Sequence, residues 1–279
     1  MIGPNYQDRI ERNYRLGVDK VHIAGVWRDL SEYLPRYNLN PIHEVTCVGS
    51  VYLDNRDFDL TRYNLLNGGR YLLVRLRTYE TYGEIPKPIS AYWVEVKIRE
   101  NDRWRKKRFV LNRSDLTGFL DGRDGGQSVL DCNQGIDPDL VQSLYRETQE
   151  TVLTNGLKPM LLLTYRRVAF QNDIERVCLD SEIQYYHVAQ DVCSYDSLKY
   201  PVEDPMGKST RTIIEFKYPP GRFPIWLAAL EKSYPLSRTN FSKYVEGMGY
   251  LFKGPLRSFK EADYFIPRID TYIGNSERM

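Results

Sequence analysis

Two acid–base pairs stand out by their spacing. In RTIIEFKYPP, Glu215 and Lys217 lie two residues apart among isoleucine, phenylalanine and tyrosine, and AYWVEVKIRE repeats the arrangement with Glu95 and Lys97. Residues i and i+2 of a strand point to the same side, so each pair shares a face; VRLRTYE does the same with Arg75 and Arg77. One such strand reads as an ordinary sheet with a wet face and a dry face. Here the charged rows recur and lean basic, through Arg75, Arg77, Lys97, Arg99, Lys106, Arg108, Arg167, Arg176 and Lys217. A surface that gathers arginine and lysine around a few acids suits an anion with several phosphates, because both side chains give charge-assisted hydrogen bonds to phosphate.

The elements that carry these residues are mostly strands. VTCVGSVYLD, RYLLVRLRTYE and AYWVEVKIRE alternate with period two, WRKKRFVLNRSD continues the pattern, and PMLLLTYRRVAF, IERVCLDSEIQYYHV and RTIIEFKY follow later. In each, the partners of the charged row are apolar: Leu72, Val74 and Leu76, then Val94, Val96 and Ile98, then Ile214, Phe216 and Tyr218. If the sheet closes into a barrel, the charged rows line its inside and the apolar rows face covering helices. Helical spacing of Ile23, Val26, Trp27, Leu30 and Leu34 predicts a helix from Asp19 to Pro35. Asp137 and Pro138 open a second, with Leu140, Val141, Leu144 and Val152 as its apolar stripe. Pro224 opens a third, ended by Pro235, and a last short one is expected near Ser237 or Thr239. LDGRDGGQSVLDCNQG reads as a flexible loop, and the segment after Phe252 shows no clear period.

The 279 residues, 42% of them hydrophobic, allow one large domain or two small ones with a real core. The formal charge of +2 is the remainder of 39 basic and 37 acidic residues, which excludes a chain coated for nucleic acid and makes any polyanion site local. Cys47, Cys132, Cys178 and Cys193 show no metal-ligand spacing and read as reduced thiols. His22, His43 and His187 form no metal or nucleophile pairing and read as structural. No stretch has the form of a leader or a membrane span, so a cytoplasmic location is expected.

The charged strands resemble the polyphosphate polymerase domain of the vacuolar transporter chaperone complex, within the triphosphate tunnel metalloenzyme fold. SVYLDNRDFDLTRYNLL is similar to its S-x-Y-F-D-N…Y-x-x-R-L stretch, and VRLRTYE resembles R-L-R-x-Y. WVEVKIRE with KKRF resembles V-E-x-K…K-x-R-F. YRRVAF, ERVCLD, IIEFKYP and FSKYVEG resemble Y-x-R-x-A-F, R-x-x-x-D, the late E-x-K strand and S-K-Y. The matches run in family order from about Arg9 to Leu251.

The resemblance implies an α+β fold: a closed antiparallel eight-stranded barrel with flanking helices, over residues 1–252, with 253–279 as a C-terminal extension packed on or trailing it. It implies transfer of the terminal phosphate of ATP to a polyphosphate chain, with Mn2+ or Mg2+. Carried over by position, Arg75, Arg77, Lys97, Arg167, Arg176, Lys217 and Lys243 grip phosphates, Arg108 joins the nucleotide contacts, and Glu215 holds the metal. Phosphoryl transfer needs positioning and neutralised charge more than a histidine base. A hard cation prefers oxygen, which suits Glu215; the plainer reading of Glu215 is a cross-strand ion pair.

Two positions depart from the family pattern. Asn13 stands where the first strand carries a lysine, and Asn64 where Y-x-x-R-L carries arginine, with Arg62 nearby and expected to point elsewhere; Arg9 and Glu11 remain able to face the tunnel. These departures keep a non-catalytic polyphosphate- or triphosphate-binding module open beside the polymerase, with a triphosphate hydrolase of the same fold as a further alternative. A stand-alone domain of bacterial type is expected, with room for a membrane partner protein. Nucleic acid is not expected, since few aromatic residues alternate with the basic ones, and the 22 tyrosines are expected mostly outside the barrel or under helices.

Overall fold

Strands with one charged and one apolar row can bury both only if the sheet curls on itself, and that is the architecture of the computed structural model. It describes residues 6–16, 20–42, 45–67, 70–85, 88–101, 103–188, 204–234 and 236–277. In chain order the strands are β1 (Tyr6–Leu16), β2 (Asn40–Pro41), β3 (Thr46–Asp54), β4 (Arg70–Thr81), β5 (Ala91–Glu100) and β6 (Arg103–Asn112). They continue with β7 (Lys158–Gln171), β8 (Arg176–His187), β9 (Gly207–Lys208), β10 (Thr212–Tyr218) and β11 (Ser237–Thr239). Eight of these form a cycle, β7-β3-β4-β5-β6-β1-β10-β8, closed by the β7–β8 pairing, and every ladder in it is antiparallel. The fold is therefore a closed eight-stranded barrel with flanking helices.

Those helices are α1 (Lys20–Tyr33), α2 (Asp59–Leu66), α3 (Leu116–Leu120), α4 (Gly126–Cys132), α5 (Pro138–Thr154), α6 (Ile225–Ser233), α7 (Lys243–Lys253) and α8 (Ala262–Glu277). The outward rows of the strands meet them in two apolar clusters, and inward-facing residues at one end of the barrel, such as Leu161 beside Tyr52 and Tyr185 beside Leu163, meet α7 and α8 in a third. Val74, Leu76, Val94 and Val96 pack with Val141, Leu144 and Val152 of α5. Ile214, Phe216 and Tyr218 pack with Val26 and Leu30 of α1 and with Trp226, Leu227 and Leu230 of α6. Leu161, Ile183 and Tyr185 pack with Val245, Met248 and Phe252 of α7 and Phe265 and Ile269 of α8.

Two sequence expectations are corrected, and a segment left without a period gains a helix. The glycine- and aspartate-rich stretch is not all loop: Gly126–Cys132 is a helix, held by buried Val129 in the α5 cluster and by Asn133, whose amide donates 2.8 Å to Val110 O and accepts 2.9 Å from Val110 N. Ser237–Thr239 pairs with β1 as a strand, and the helix expected there begins later, at Lys243, with Ser242 as its N-cap. The segment after Phe252 contains a helix, α8, interrupted by Pro267 in its interior, which obscures the period. His22, His43 and Cys193 lie outside the residues whose side chains are described.

Candidate active site

The barrel encloses a cavity of about 950 Å³. Its wall carries every residue assigned to the site from sequence: Arg75, Arg77, Lys97, Arg108, Arg167, Arg176, Glu215, Lys217 and Lys243, with Arg9, Glu11, Asn13, Arg99 and Lys106 beside them. Eleven lysines and arginines line this wall against seven carboxylates, five on the wall itself and Glu95 and Asp180 buried directly behind it, a difference of four (11 − 7) inside a chain whose formal charge is +2. Strand register explains the gathering. Arg75 pairs with Glu95, Leu73 with Lys97, Lys97 with Lys106, Glu11 with Lys217 and Lys217 with Arg176, so one parity of each strand meets the same parity of its neighbour.

Buried cations require counter-charges, and three deeply buried carboxylates supply them. Glu95 takes Arg75 through Nε and Nη2 at 2.8 and 2.6 Å, Lys106 at 3.3 Å, Arg77 at 3.7 Å and Arg108 at 3.9 Å. Glu11 takes Arg9 at 2.7 Å and Lys97 at 3.1 Å. Asp180 takes Arg167 in a two-point pair at 2.6 and 2.7 Å and Lys243 at 2.7 Å. Burial alone would raise each carboxyl, but the adjacent cations outweigh it and hold all three below the usual carboxylate range. Burial dominates for Lys97, whose ammonium is pushed down to about 7 despite Glu11. Lys243 goes the other way: burial would lower it, and Asp180 and Glu215 raise it above the ordinary lysine range.

Glu215 differs from these three. Its side chain is 13% exposed, against 2% for Glu11 and 0% for Glu95 and Asp180. Oε2 accepts from Lys217 and from Arg167 at 2.9 Å, while Oε1 has Lys243 only at 3.5 Å. Among the described residues no three histidine, cysteine, aspartate or glutamate side chains gather as a ready-made metal cage. Magnesium usually takes one or two carboxylates and completes its shell with waters and substrate phosphates. The residues present fit that mode through Glu215, not an all-protein cage.

Lys243 comes from α7 rather than from a strand, so the helix must be fixed to place it. Tyr244 donates 2.7 Å to Asp54 Oδ2, and Asp54 also accepts from the amides of Asn55, Leu60 and Thr61 at 2.9–3.0 Å. Gly247 lets the helix lie on the barrel, since a Cβ there would stand 2.6 Å from Leu161 Cδ2 and 2.8 Å from Tyr185 Cδ1.

Sequence reasoning missed the aromatic part of the wall. Tyr71 and Tyr79 share the parity of Arg75 and Arg77, Trp93 that of Glu95, Trp104 that of Lys106 and Tyr165 that of Arg167, and all five line the cavity. Lys97 lies 4.0 Å over Trp104, and Arg108 4.2 Å over Trp93, so the rings support cations by cation–π contact. The expectation that few aromatics alternate with the basic residues is thus overturned, and the signal was period two itself. Asp180 was visible only as the last residue of ERVCLD; no role was assigned to it. Asn64 is not on the cavity wall: it donates 3.1 Å to Leu72 O and accepts 2.9 Å from Leu72 N, tying α2 to β4. Arg62 is indeed outside, over the ring of Tyr264. Of the two departures, only Asn13 alters the tunnel.

The family model for the VTC domain matches residues 10–252. Vacuolar transporter chaperone complex subunit 2 of Schizosaccharomyces pombe is 27% identical over 241 residues, 77% of this chain and 32% of that protein. Subunit 4 from the same organism is 25% identical over 190 residues, 61% of this chain and 25% of that protein. The chain thus spans about a third or less of the curated relatives it matches. A Bacillus halodurans crystal structure described as an adenylate cyclase candidate is 13% identical, with 87% of this chain and 98% of that one covered at a TM-score of 0.47.

Proposed function

The chain belongs to the VTC domain family, and from that membership and its basic tunnel we propose that it is an ATP-dependent polyphosphate polymerase. The observation that carries this reading is the excess of four cations over carboxylates around one barrel cavity, Glu95 and Asp180 included. A triphosphate and a polyphosphate end can share it. Arg75, Arg77, Lys97, Arg167, Arg176, Lys217 and Lys243 bind and align the phosphates, with Arg108 toward the nucleotide. An oxygen of the chain's terminal phosphate bonds to the γ-phosphorus of ATP while the bond from that phosphorus to the β,γ-bridging oxygen breaks. The chain grows by one unit and ADP leaves. The cations neutralise charge on the transferring group throughout, the main protein contribution in phosphoryl transfer. A Mn2+ or Mg2+ ion, which Glu215 would hold, would supply Lewis-acid neutralisation of phosphate charge.

Purified protein with ATP and Mn2+ is expected to form long-chain polyphosphate, resolved on urea gels. No polymer under Mn2+, Mg2+ or Co2+ would overturn the polymerase reading, and orthophosphate without polymer would assign a triphosphate hydrolase instead. Asn13, uncharged on the wall opposite Glu215, favours a second reading: a binding module that keeps polyphosphate without turning it over. Tight tripolyphosphate binding, no product and no response to metal would select it. We also propose, from the relatives' names as complex subunits, that the domain works with protein partners, a membrane protein among them.

A further inference from the structure

We propose that Asn13 is a second oxygen ligand of the divalent cation, beside Glu215, so that the substitution that removes a positive charge from the tunnel also builds a metal site. The inference rests on Glu215 as the metal anchor. Three observations carry it. Asn13 and Glu215 are direct cross-strand partners in the β1–β10 ladder, where facing Cβ atoms stand roughly 4.5–5.5 Å apart. Both line the same cavity. Among the described residues, Asn13 Oδ1 is buried without a hydrogen-bond donor, although an orphaned buried acceptor is costly and native structures rarely keep one.

The surroundings identify what Oδ1 awaits. The cations nearest Glu215 are spent elsewhere: Lys217 and Arg167 on Oε2 and Arg167 and Lys243 on Asp180. Among the described residues, Oε1 of Glu215 has its one hydrogen-bonding contact with Lys243, at 3.5 Å. An amide oxygen and a carboxylate oxygen are both hard donors, suited to Mg2+ or Mn2+ and not to soft metals. Two such ligands hold the ion weakly among so many cations, and a bound triphosphate supplies both the remaining oxygens and the negative charge. Metal and triphosphate therefore enter this site together.

The test is the affinity for tripolyphosphate by calorimetry, measured in Mn2+ and in EDTA, so that no turnover is required. Asn13→Ala is expected to weaken binding in Mn2+ about tenfold, on the scale of a disturbed metal-ligand set, and to leave binding in EDTA within twofold. Asn13→Asp should raise the ratio of Mn2+ to EDTA affinities, because it adds a metal-binding charge that repels bare phosphate. Asn13→Lys should bind better in EDTA and respond less to metal, which Glu215 alone would then hold. Equal losses in Mn2+ and EDTA for Asn13→Ala, or no loss in either, would overturn the proposal. Glu215→Gln separates the two levels: a Mn2+-specific loss there with none in Asn13→Ala refutes Asn13 alone, whereas no Mn2+-specific loss in Glu215→Gln refutes the anchor and the proposal with it.

Discussion

Glu95→Gln keeps the shape of the side chain and removes its charge. Glu95 is fully buried and holds Arg75 by two hydrogen bonds of 2.8 and 2.6 Å, with Lys106, Arg77 and Arg108 within 3.9 Å. Removing one partner of a buried ion pair costs about 3–5 kcal/mol, and at roughly 2 °C per kcal/mol for a chain of this size the melting temperature should fall by about 6–10 °C. The released cations are the ones a polyphosphate would neutralise, so tripolyphosphate should raise the melting temperature of the variant more than that of the parent. Ligand at a hundred times its dissociation constant stabilises by about 2.7 kcal/mol in the parent, which sets the size of the comparison. The pH dependence has a definite sign. Because the folded carboxyl lies below its unfolded value, its stabilisation is complete above the unfolded value near about 4.3 and is lost as pH falls through the folded one. The gap between parent and variant, followed by scanning calorimetry, should thus persist at pH 5–7 and narrow only in strong acid. A fall under about 2 °C at pH 7, or no extra response to tripolyphosphate, would refute the view that Glu95 is the counter-charge of an otherwise unstable cation cage.

Lys97→Arg probes the ammonium that burial pushes down to about 7. A lysine with a lowered folded value leaves stability rising with pH between about 7 and the ordinary lysine value of 10.5, and its charge available for phosphate below about 7; the arginine variant should hold tripolyphosphate more tightly relative to parent at pH 8.5 than at pH 6, and an unchanged ratio in titration calorimetry would refute this. Arg77→Ala, which loses one 2.9 Å contact to Ser50 and leaves Glu95 its closer cations, should weaken tripolyphosphate binding by about tenfold, the worth of a charge-assisted hydrogen bond, while melting within a few degrees of the parent; unfolding instead would make Arg77 structural. Gly247→Ala places a methyl within 2.6 Å of Leu161 and should cost about 1–3 kcal/mol by overpacking, read by chemical denaturation. Ending the chain after Lys253 removes Ala262, Phe265 and Ile269 from the cluster around Phe58 and Phe252; if residues 253–279 are an integral cover, as we propose, the shortened protein should aggregate or melt far lower, and an unchanged melt would make them a trailing segment.

The barrel was legible because alternation is a two-residue signal and every charged row declares its own strand. Closure could be expected from the rows but not read from them, since it depends on the β7–β8 pairing and on register. What stayed hidden followed from distance along the chain. Lys243 reaches the cavity only because Tyr244, one residue on, is tied to Asp54, 190 residues away, and no local pattern announces such a bond. The helix at Gly126–Cys132 was obscured by glycines that mark its start. Asn64 looked like a lost phosphate contact because a sequence match gives position and not direction; its amide turns to the backbone of Leu72.

The four interior carboxylates divide between holding the tunnel together and leaving it reactive. A cage of cations alone would be unstable when empty, and full pairing would leave nothing for a polyanion to neutralise. Glu11, Glu95 and Asp180 resolve the first difficulty at the wall, each almost wholly buried and each holding at least two cations. The surplus resolves the second, since the eleven cations still outnumber the seven carboxylates around the cavity, Glu95 and Asp180 included. Glu215 sits between these roles, paired with lysine and arginine yet the most open of the four. A triphosphate that draws Lys217 and Lys243 toward its own oxygens would loosen their hold on Glu215 and free a carboxylate for a cation at the moment the anion arrives. Binding of anion and of metal are then coupled through the same two lysines. Replacing either should therefore weaken the dependence of tripolyphosphate affinity on Mn2+ as well as the affinity itself, whereas a tunnel that merely attracts phosphate would lose affinity alone.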